Sequence, residues 1–285
     1  MQIPNSPIIN AKELLQLKPG ENLVLIDARS GTDAKEKYMR EHLQNALFVD
    51  LNKQLADIKP DLADGGRHPL PDPEKFSMLV QELGIDPDSH VVIYDDKYGS
   101  NAAARFWWML TAIGHVKVQV LDGGFEAALK AGFPSNSLKT NPSPGISYNS
   151  QSWKLPAASL HEVEAAAGRK EFIVIDVREK YRYDGESEPI DLIAGHIPGA
   201  VNIPFTSNLD ESGLFLSPSE LRQKYLTALH EVNPENVIVH CGSGVTACHT
   251  LLAMAYAGLT IPKLYTGSWS EWSRNNMPIA TNKVK

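Results

Sequence analysis

The chain has 285 residues, 42% of them hydrophobic and 21% charged, with a formal net charge of -7. That length exceeds the usual size of one core and fits two units of about 100–150 residues each, and the composition is that of a folded protein without a disordered tail. The acidic balance and the lack of long runs of like charge leave no basic face for a phosphate backbone, which excludes nucleic acid as an expected partner. The opening "MQIPNSPIINAKELLQL" lacks a basic segment followed by an apolar one, and no apolar run reaches the ~18–20 residues of a membrane helix. The expectation is a cytoplasmic protein with no membrane partner, whose two cysteines, Cys241 and Cys248, remain free thiols.

In chain order, "LVLI" before Asp27-Ala28-Arg29 predicts a buried strand over Leu23–Asp27, and "EHLQNALFVDL" follows from Glu41. "GGRHPLPD" then carries Arg67 and His68, and "DPEKFSMLVQELG" has the apolar spacing and cap candidates of a helix. Strands are predicted at Val91–Tyr94, which runs into a loop "DDKYGSN" opening on Asp95, and at Val118–Leu121 before "DGGFEAALKAGFP". The stretch "SNSLKTNPSPGISYNSQSW" has linker chemistry and puts a boundary near residues 135–155. Beyond it the series begins again. A strand over Phe172–Asp176 precedes Asp176-Val177-Arg178; "GHIPGAVNIPF" pairs His196 and Ala200 with His42 and Ala46; "SPSELRQKYLTALH" is a second capped helix. Strands at Val237–His240 and Lys263–Tyr265 follow, the latter before "TGSWSEWSRNNMP". One domain is therefore written twice, over residues 1–140 and 155–285. Alternating strands and helices give the fold class: α/β, each half a mainly parallel sheet flanked by helices.

Cys241 stands directly after a strand, where open α/β sheets form their sites. Gly242, Ser243 and Gly244 permit a tight loop of converging N–H groups, and "VTACHTLLAMAYAG" reads as a helix starting near Val245, so the sulfur faces amides and the positive end of a helix dipole. An ordinary cysteine is only about 3% ionised at pH 7, and about 2.7 kcal/mol of differential stabilisation would make the thiolate its main form. Two or three aimed amides supply that, so Cys241 is read as a nucleophile. Cys248, among Ala, Leu and Met, is read as core packing. A zinc site from His240, Cys241, Cys248 and His249 lacks the usual ligand spacing, and no metal is expected. A cysteine phosphatase would need an arginine where this chain has Ala247. The first copy carries Asp95 at the place of Cys241, in a loop about two residues longer by sequence. Aspartate cannot accept sulfur, so only the second half is expected to be catalytic.

The doubled pattern of Asp-x-Arg, Gly-His-Ile-Pro-Gly-Ala and a strand ending in cysteine, with aspartate in the first copy, resembles the tandem-domain sulfurtransferases of the rhodanese superfamily over nearly the whole chain. The loop "CGSGVTA" is similar to that of the branch using 3-mercaptopyruvate, whereas the thiosulfate-using branch typically has basic residues there. The resemblance implies two rhodanese-like domains and double displacement: Cys241 takes a sulfane sulfur from a small anionic donor as a persulfide, then passes it to a thiol acceptor such as thioredoxin, or to cyanide. It implies no metal or organic cofactor. Thiosulfate as donor, and a non-catalytic sulfur carrier, stay open as alternatives.

The resemblance also assigns residues. Arg182 is the candidate clamp for a donor carboxylate, while Arg178 is expected to pair with Asp176, as Arg29 would with Asp27. The family often carries another arginine shortly before its Gly-His pair, where this chain has "PIDLIAG". Ser243 would donate to, or relay a proton toward, the donor carbonyl, working with His68 across the domain interface. Arg67 would add positive potential. The acid partner of His68 would be Asp50 or another residue, the family's position falling near Asn52. Gly242, Gly244, Val245 and Thr246 complete the loop that holds the donor. His42 and His196 are read as hydrogen-bonding within turns.

Overall fold

The computed structural model describes residues 6–17, 22–142, 148, 150–230 and 232–282. The apolar runs of each half pair in parallel, and the two halves repeat one order. In the first, neighbours across the sheet are Ile8–Ile9, Val118–Leu121, His90–Tyr94, Leu23–Asp27 and Leu47–Phe48; in the second, Ala157–Ala158, Lys263–Tyr265, Val237–His240, Ile173–Asp176 and Val201–Asn202. Register is preserved as well: Asp27 lies opposite Tyr94, and Asp176 opposite His240. Asp95 and Cys241, the next residues, therefore leave the middle strand of each sheet at equivalent places.

Local chemistry is duplicated with the topology. Asp27 and Asp176 are fully buried and each holds the arginine two positions on, at 2.6 Å (Arg29) and 2.5 Å (Arg178). The arginines reach the carbonyls of Glu41 and Gly195 and lie over the rings of Phe125 and Trp269. Burial disfavours the charged Asp176 carboxylate, but Arg178 outweighs it and holds the pKa below its usual value. His42 and His196 each bond a tyrosine carbonyl through Nδ1 at 2.7 Å and stack on that tyrosine's ring, Tyr38 or Tyr183. These histidines fasten a turn, as the sequence suggested.

The helices over Pro73–Glu82 and Pro218–Leu229 begin where proline and a capping side chain predict; Ser217 and Glu220 form a reciprocal capping box. The helix Ala102–Ile113 is buried on every face because it lies between the halves, packed on Ala247–Tyr256 of the other sheet. One apolar cluster accordingly runs through both copies, joining Phe106, Trp107 and Met109 to Leu251, Leu252 and Met254. The linker-like segment is anchored at both ends: Ser135–Asn136 pairs antiparallel with His42–Leu43, and Trp153 packs on Phe76 and Trp108. Residues 143–147 and 149 of that segment lie outside the described residues. Among the described residues no helix is long and apolar enough to cross a membrane.

Candidate active site

Val237–His240 is buried throughout, and Cys241, directly after the strand ends, is buried as well, at 3% exposed. The Cys241 N–H donates to Ser268 Oγ (3.1 Å), and the carbonyls of Cys241 and Gly242 accept from the N–H groups of Trp269 (3.0 Å) and Ser270 (2.9 Å). These bonds lash the loop to the start of the helix Ser268–Trp272. Gly244 has φ of +72°, and a Cβ there would overlap the Thr266 carbonyl, so the turn requires glycine. From Gly242 through Ala247 the backbone N–H groups find no acceptor among the described residues. They line the first turn before and into the helix Ala247–Tyr256, two residues later than the sequence suggested. Unclaimed amides in the loop that follows a cysteine are free to bind negative charge.

Ser243 Oγ lies 2.8 Å from His68 Nδ1, a contact between the halves, and His68 Nε2 lies 3.0 Å from Asn52 Oδ1. Asp50 does not take part: its carboxylate caps the helix Leu51–Gln54, accepting from the N–H groups of Asn52 and Lys53. The partner of His68 is thus an amide and not an acid. Because the Asn52 oxygen can only accept, Nε2 carries the imidazole proton and Nδ1 is free to accept from the Ser243 hydroxyl. Burial, and then the charges of Arg67 and Arg105, push the His68 pKa down to about 3. The imidazole stays neutral at pH 7 and orients Ser243 without storing a proton.

Arg182, read from sequence as an open clamp, is 5% exposed and already engaged. Its Nε and one terminal nitrogen hold Glu188 at 2.8–3.1 Å, the other meets Glu179 at 3.3 Å, and a 3.5 Å contact reaches Asp191. The clamp is occupied because this acidic stretch, "GESEPID", folds back on it. Burial works against the Arg182 charge, and the Glu188 and Glu179 carboxylates outweigh it, holding the pKa above its usual value. Arg67 crosses from the first half to Asp191 (3.0 and 3.3 Å), and Arg274 meets the same carboxylate at 3.2 Å. A Cβ built on Gly242 would lie 2.9 Å from an Arg67 nitrogen and 3.3 Å from one of Arg182, so this cluster abuts the residue after Cys241.

The structure thus gathers Cys241, Gly242, Ser243, Gly244, His68, Arg67 and Arg182 at one junction. The Val245 side chain instead joins the apolar core, leaving only its backbone at the loop, and Thr246 sits at the helix start without a side-chain cap bond. Cys248 is fully buried, its Sγ donating to the Gly244 carbonyl at 3.3 Å, and burial pushes that thiol up to about 12. Among the described residues no group of His, Cys, Asp and Glu converges as a metal site.

Three participants escaped sequence reasoning, Arg105, Asp191 and Arg274, while Asn52 is the position that the family resemblance pointed to. Arg105 is the least expected, an arginine fully buried within an apolar helix. Its guanidinium donates to the carbonyls of Gly244 (3.2 Å), His68 (3.1 Å) and Leu55 (3.3 Å), and no carboxylate pairs with it among the described residues. It clips the Cys241 loop to the segment carrying His68. Its place in "NAAARFWWML" was the available signal, since a charge amid small and aromatic residues needs polar acceptors nearby.

The profile of the rhodanese-like domain matches residues 10–131 and 159–275. The probable 3-mercaptopyruvate sulfurtransferase of Pseudomonas aeruginosa is 37% identical over 287 aligned residues, covering 97% of this chain and 99% of that relative. The thiosulfate sulfurtransferase of Rattus norvegicus is 36% identical, over 94% of this chain and 91% of its own. The crystal structure of a 3-mercaptopyruvate sulfotransferase from Escherichia coli superimposes with a TM-score of 0.76 at 30% identity, over 94% of this chain and all of that one (100%). With two copies of this domain spanning nearly its whole length, the chain belongs to the rhodanese-like family and is a sulfurtransferase.

Proposed function

We propose that the enzyme moves a sulfane sulfur from 3-mercaptopyruvate to an acceptor thiol, through a persulfide on Cys241. The observation that carries this reading is the run of unclaimed amides from Gly242 to Ala247 directly after Cys241, with Ser243 steadied by His68 at 2.8 Å. The Cys241 thiolate attacks the donor sulfur and the carbon–sulfur bond breaks, its electron pair forming the pyruvate enolate. The proton first carried by the donor thiol ends on the enolate carbon, giving pyruvate and a persulfide anion. Ser243 turns its hydroxyl from His68 to the donor carbonyl oxygen, where negative charge develops. Amides of the loop hold the anionic sulfur before and after transfer. Arg105 adds a positive charge behind the loop, with no carboxylate paired to it among the described residues. Mercaptopyruvate suits a loop without basic side chains, because its carboxylate lies away from the reacting sulfur and within reach of the Arg67, Arg182 and Arg274 cluster.

The acceptor thiol, thioredoxin or a similar dithiol protein, then takes the outer sulfur, as cyanide does in an assay. Both cysteines of the chain are unpaired, which fits a reducing, cytoplasmic setting. Thiosulfate is the second reading, supported by the thiosulfate sulfurtransferase of Rattus norvegicus at nearly the same identity as the Pseudomonas relative. Steady-state kcat/KM with each donor, cyanide being the acceptor, tests the choice. Mercaptopyruvate should lead; a higher value for thiosulfate reverses the reading, and turnover of neither leaves a carrier.

A further inference from the structure

Asp191 is a charged group beside Gly242 to which sulfur transfer assigns no task. Its side chain is fully buried, yet it belongs to an irregular stretch whose neighbours Ile190 and Leu192 are exposed. Three guanidiniums converge on it. Oδ1 accepts from Arg67 Nε (3.0 Å) and Arg274 (3.2 Å), and Oδ2 from Arg67 (3.3 Å) and Arg182 (3.5 Å). Its own N–H is held by Glu188 Oε1 at 3.1 Å. A Cβ on Gly242 would stand 3.6 Å from Oδ2, so this carboxylate borders the residue that follows the sulfur.

We propose that Asp191 is a resident counter-ion that sets the charge of the donor, admitting a monoanion to the arginine cluster and disfavouring a dianion. This rests on the reading that an anionic donor docks at that cluster. The cluster's cations are Arg67, Arg178, Arg182 and Arg274, and its carboxylates are Asp176, Glu179, Glu188 and Asp191, four against four, so it is neutral as it stands. Three arginines near a reactive sulfur would otherwise make a strong site for a doubly charged ligand. A fixed negative charge repels a dianion twice as strongly as a monoanion at the same distance. The effect is larger still for a donor such as thiosulfate, which carries its charge on the reacting group and must approach Gly242. A carboxylate at the far end of a keto acid can share the arginines' outer hydrogens without meeting Asp191 head on. The charge balance, and not the loop alone, then separates the two donor classes.

The test compares the wild-type enzyme with Asp191→Asn and Arg274→Gln, which shift the cluster's charge in opposite directions. Protection of Cys241 from iodoacetamide is titrated with sulfate, a dianion, and with pyruvate, a monoanion, giving a selectivity that needs no turnover. Asp191→Asn should move selectivity toward sulfate at least about tenfold, and Arg274→Gln should move it toward pyruvate. The ratio of kcat/KM for thiosulfate over mercaptopyruvate should follow the same order. Melting curves identify folded variants; if Asp191→Asn does not fold, the sign of the Arg274→Gln shift decides. Selectivity unchanged within about twofold in a folded Asp191→Asn, equal directions for both variants, or no protection by either anion overturns the proposal. Shifted protection without turnover of any donor would sink the catalytic reading and leave the charge assignment standing.

Discussion

Asp95 and Cys241 occupy one position in two copies of the same sheet, and they use the loop that follows in opposite ways. In the first half the loop amides are consumed internally: Asp95 Oδ1 accepts from Lys97 (2.9 Å) and Gly99 (2.8 Å), and Oδ2 from Asn101 (3.3 Å) and Ala103 (3.4 Å). In the second half no side chain takes up the corresponding amides, which find no acceptor among the described residues. Burial pushes the Asp95 carboxyl up, against the pull of those amides, so the group is costly to hold and is held only because the nest is complete. The scaffold around both is the same, down to the N–H of Phe125 or Trp269 bonding the carbonyl of Asp95 or Cys241 at 3.0 Å. One further contrast follows the same line. Gly124 and Ser268 share a left-handed backbone, φ +61° and +53°, but only the second half accepts a serine there, whose hydroxyl meets the Cys241 N–H. An anion nest closed by its own side chain is a structural element, and one left open is free to take a ligand.

The largest effect expected from this contrast is at the two equivalent positions. Cys241→Ser should lower turnover by about 1,000-fold or more without moving the melting temperature. Asp95→Ala should do the reverse, costing about 2–4 kcal/mol in denaturant unfolding by orphaning four N–H groups while kcat per folded molecule holds. An Asp95→Ala protein as stable as wild type would break the comparison. A sharper version is Asp95→Cys in a Cys241→Ser background. The new thiol should accept no donor sulfur, because Lys97 stands where Ser243 stands in the other half and the His68 Nδ1 is aimed at Ser243; sulfur loading at position 95 would refute that.

Smaller effects concern the relay and the fold. Ser243→Ala should reduce kcat/KM for mercaptopyruvate about 10- to 100-fold and for thiosulfate less, because only the former develops charge on a carbonyl oxygen; equal losses would remove the relay. Stability should respond to acid through histidine. His68 and His249 are both held at about 3 in the folded chain against an ordinary 6.5, burial being the main cause in each. Between those values the unfolded chain binds more protons, so stability falls as pH drops from about 6.5 toward 3, by roughly 1 kcal/mol per unit for each group. Asp122, raised to about 6 by burial, works the other way between 3.8 and 6. Chemical denaturation at pH 7 and 5 should show the net loss, and His68→Gln should make it shallower.

Much of this contrast was legible in the sequence, and the reason lies in periodicity. Middle strands such as Leu23–Asp27 and Val237–His240 are continuous apolar runs and were placed to the residue, and the doubled Asp-x-Arg and Gly-His landmarks gave the duplication. The two-residue edge strands, Ile8–Ile9 or Val201–Asn202, are too short to carry a period and emerged only from pairing. Cys241, Ser243 and His68 were singled out because loop chemistry and the family resemblance mark them, and Ser243 and His68 meet in the structure. Arg105, Asp191 and Arg274 were not, since their significance comes from a network of contacts across the two halves that no local pattern encodes; Asn52 was marked only as the family's position. The aspartate chosen for His68 failed on geometry: an N-cap carboxylate is committed to its own helix.

The open nest around Cys241 is tested most directly by the mass of the intact protein, and of its Cys241 and Cys248 peptides, after brief exposure to donor without acceptor. A gain of one sulfur atom, located on Cys241 and lost when an acceptor thiol is added, is the expected result. An unmodified Cys241 under conditions of turnover, or the added sulfur on Cys248, would contradict it.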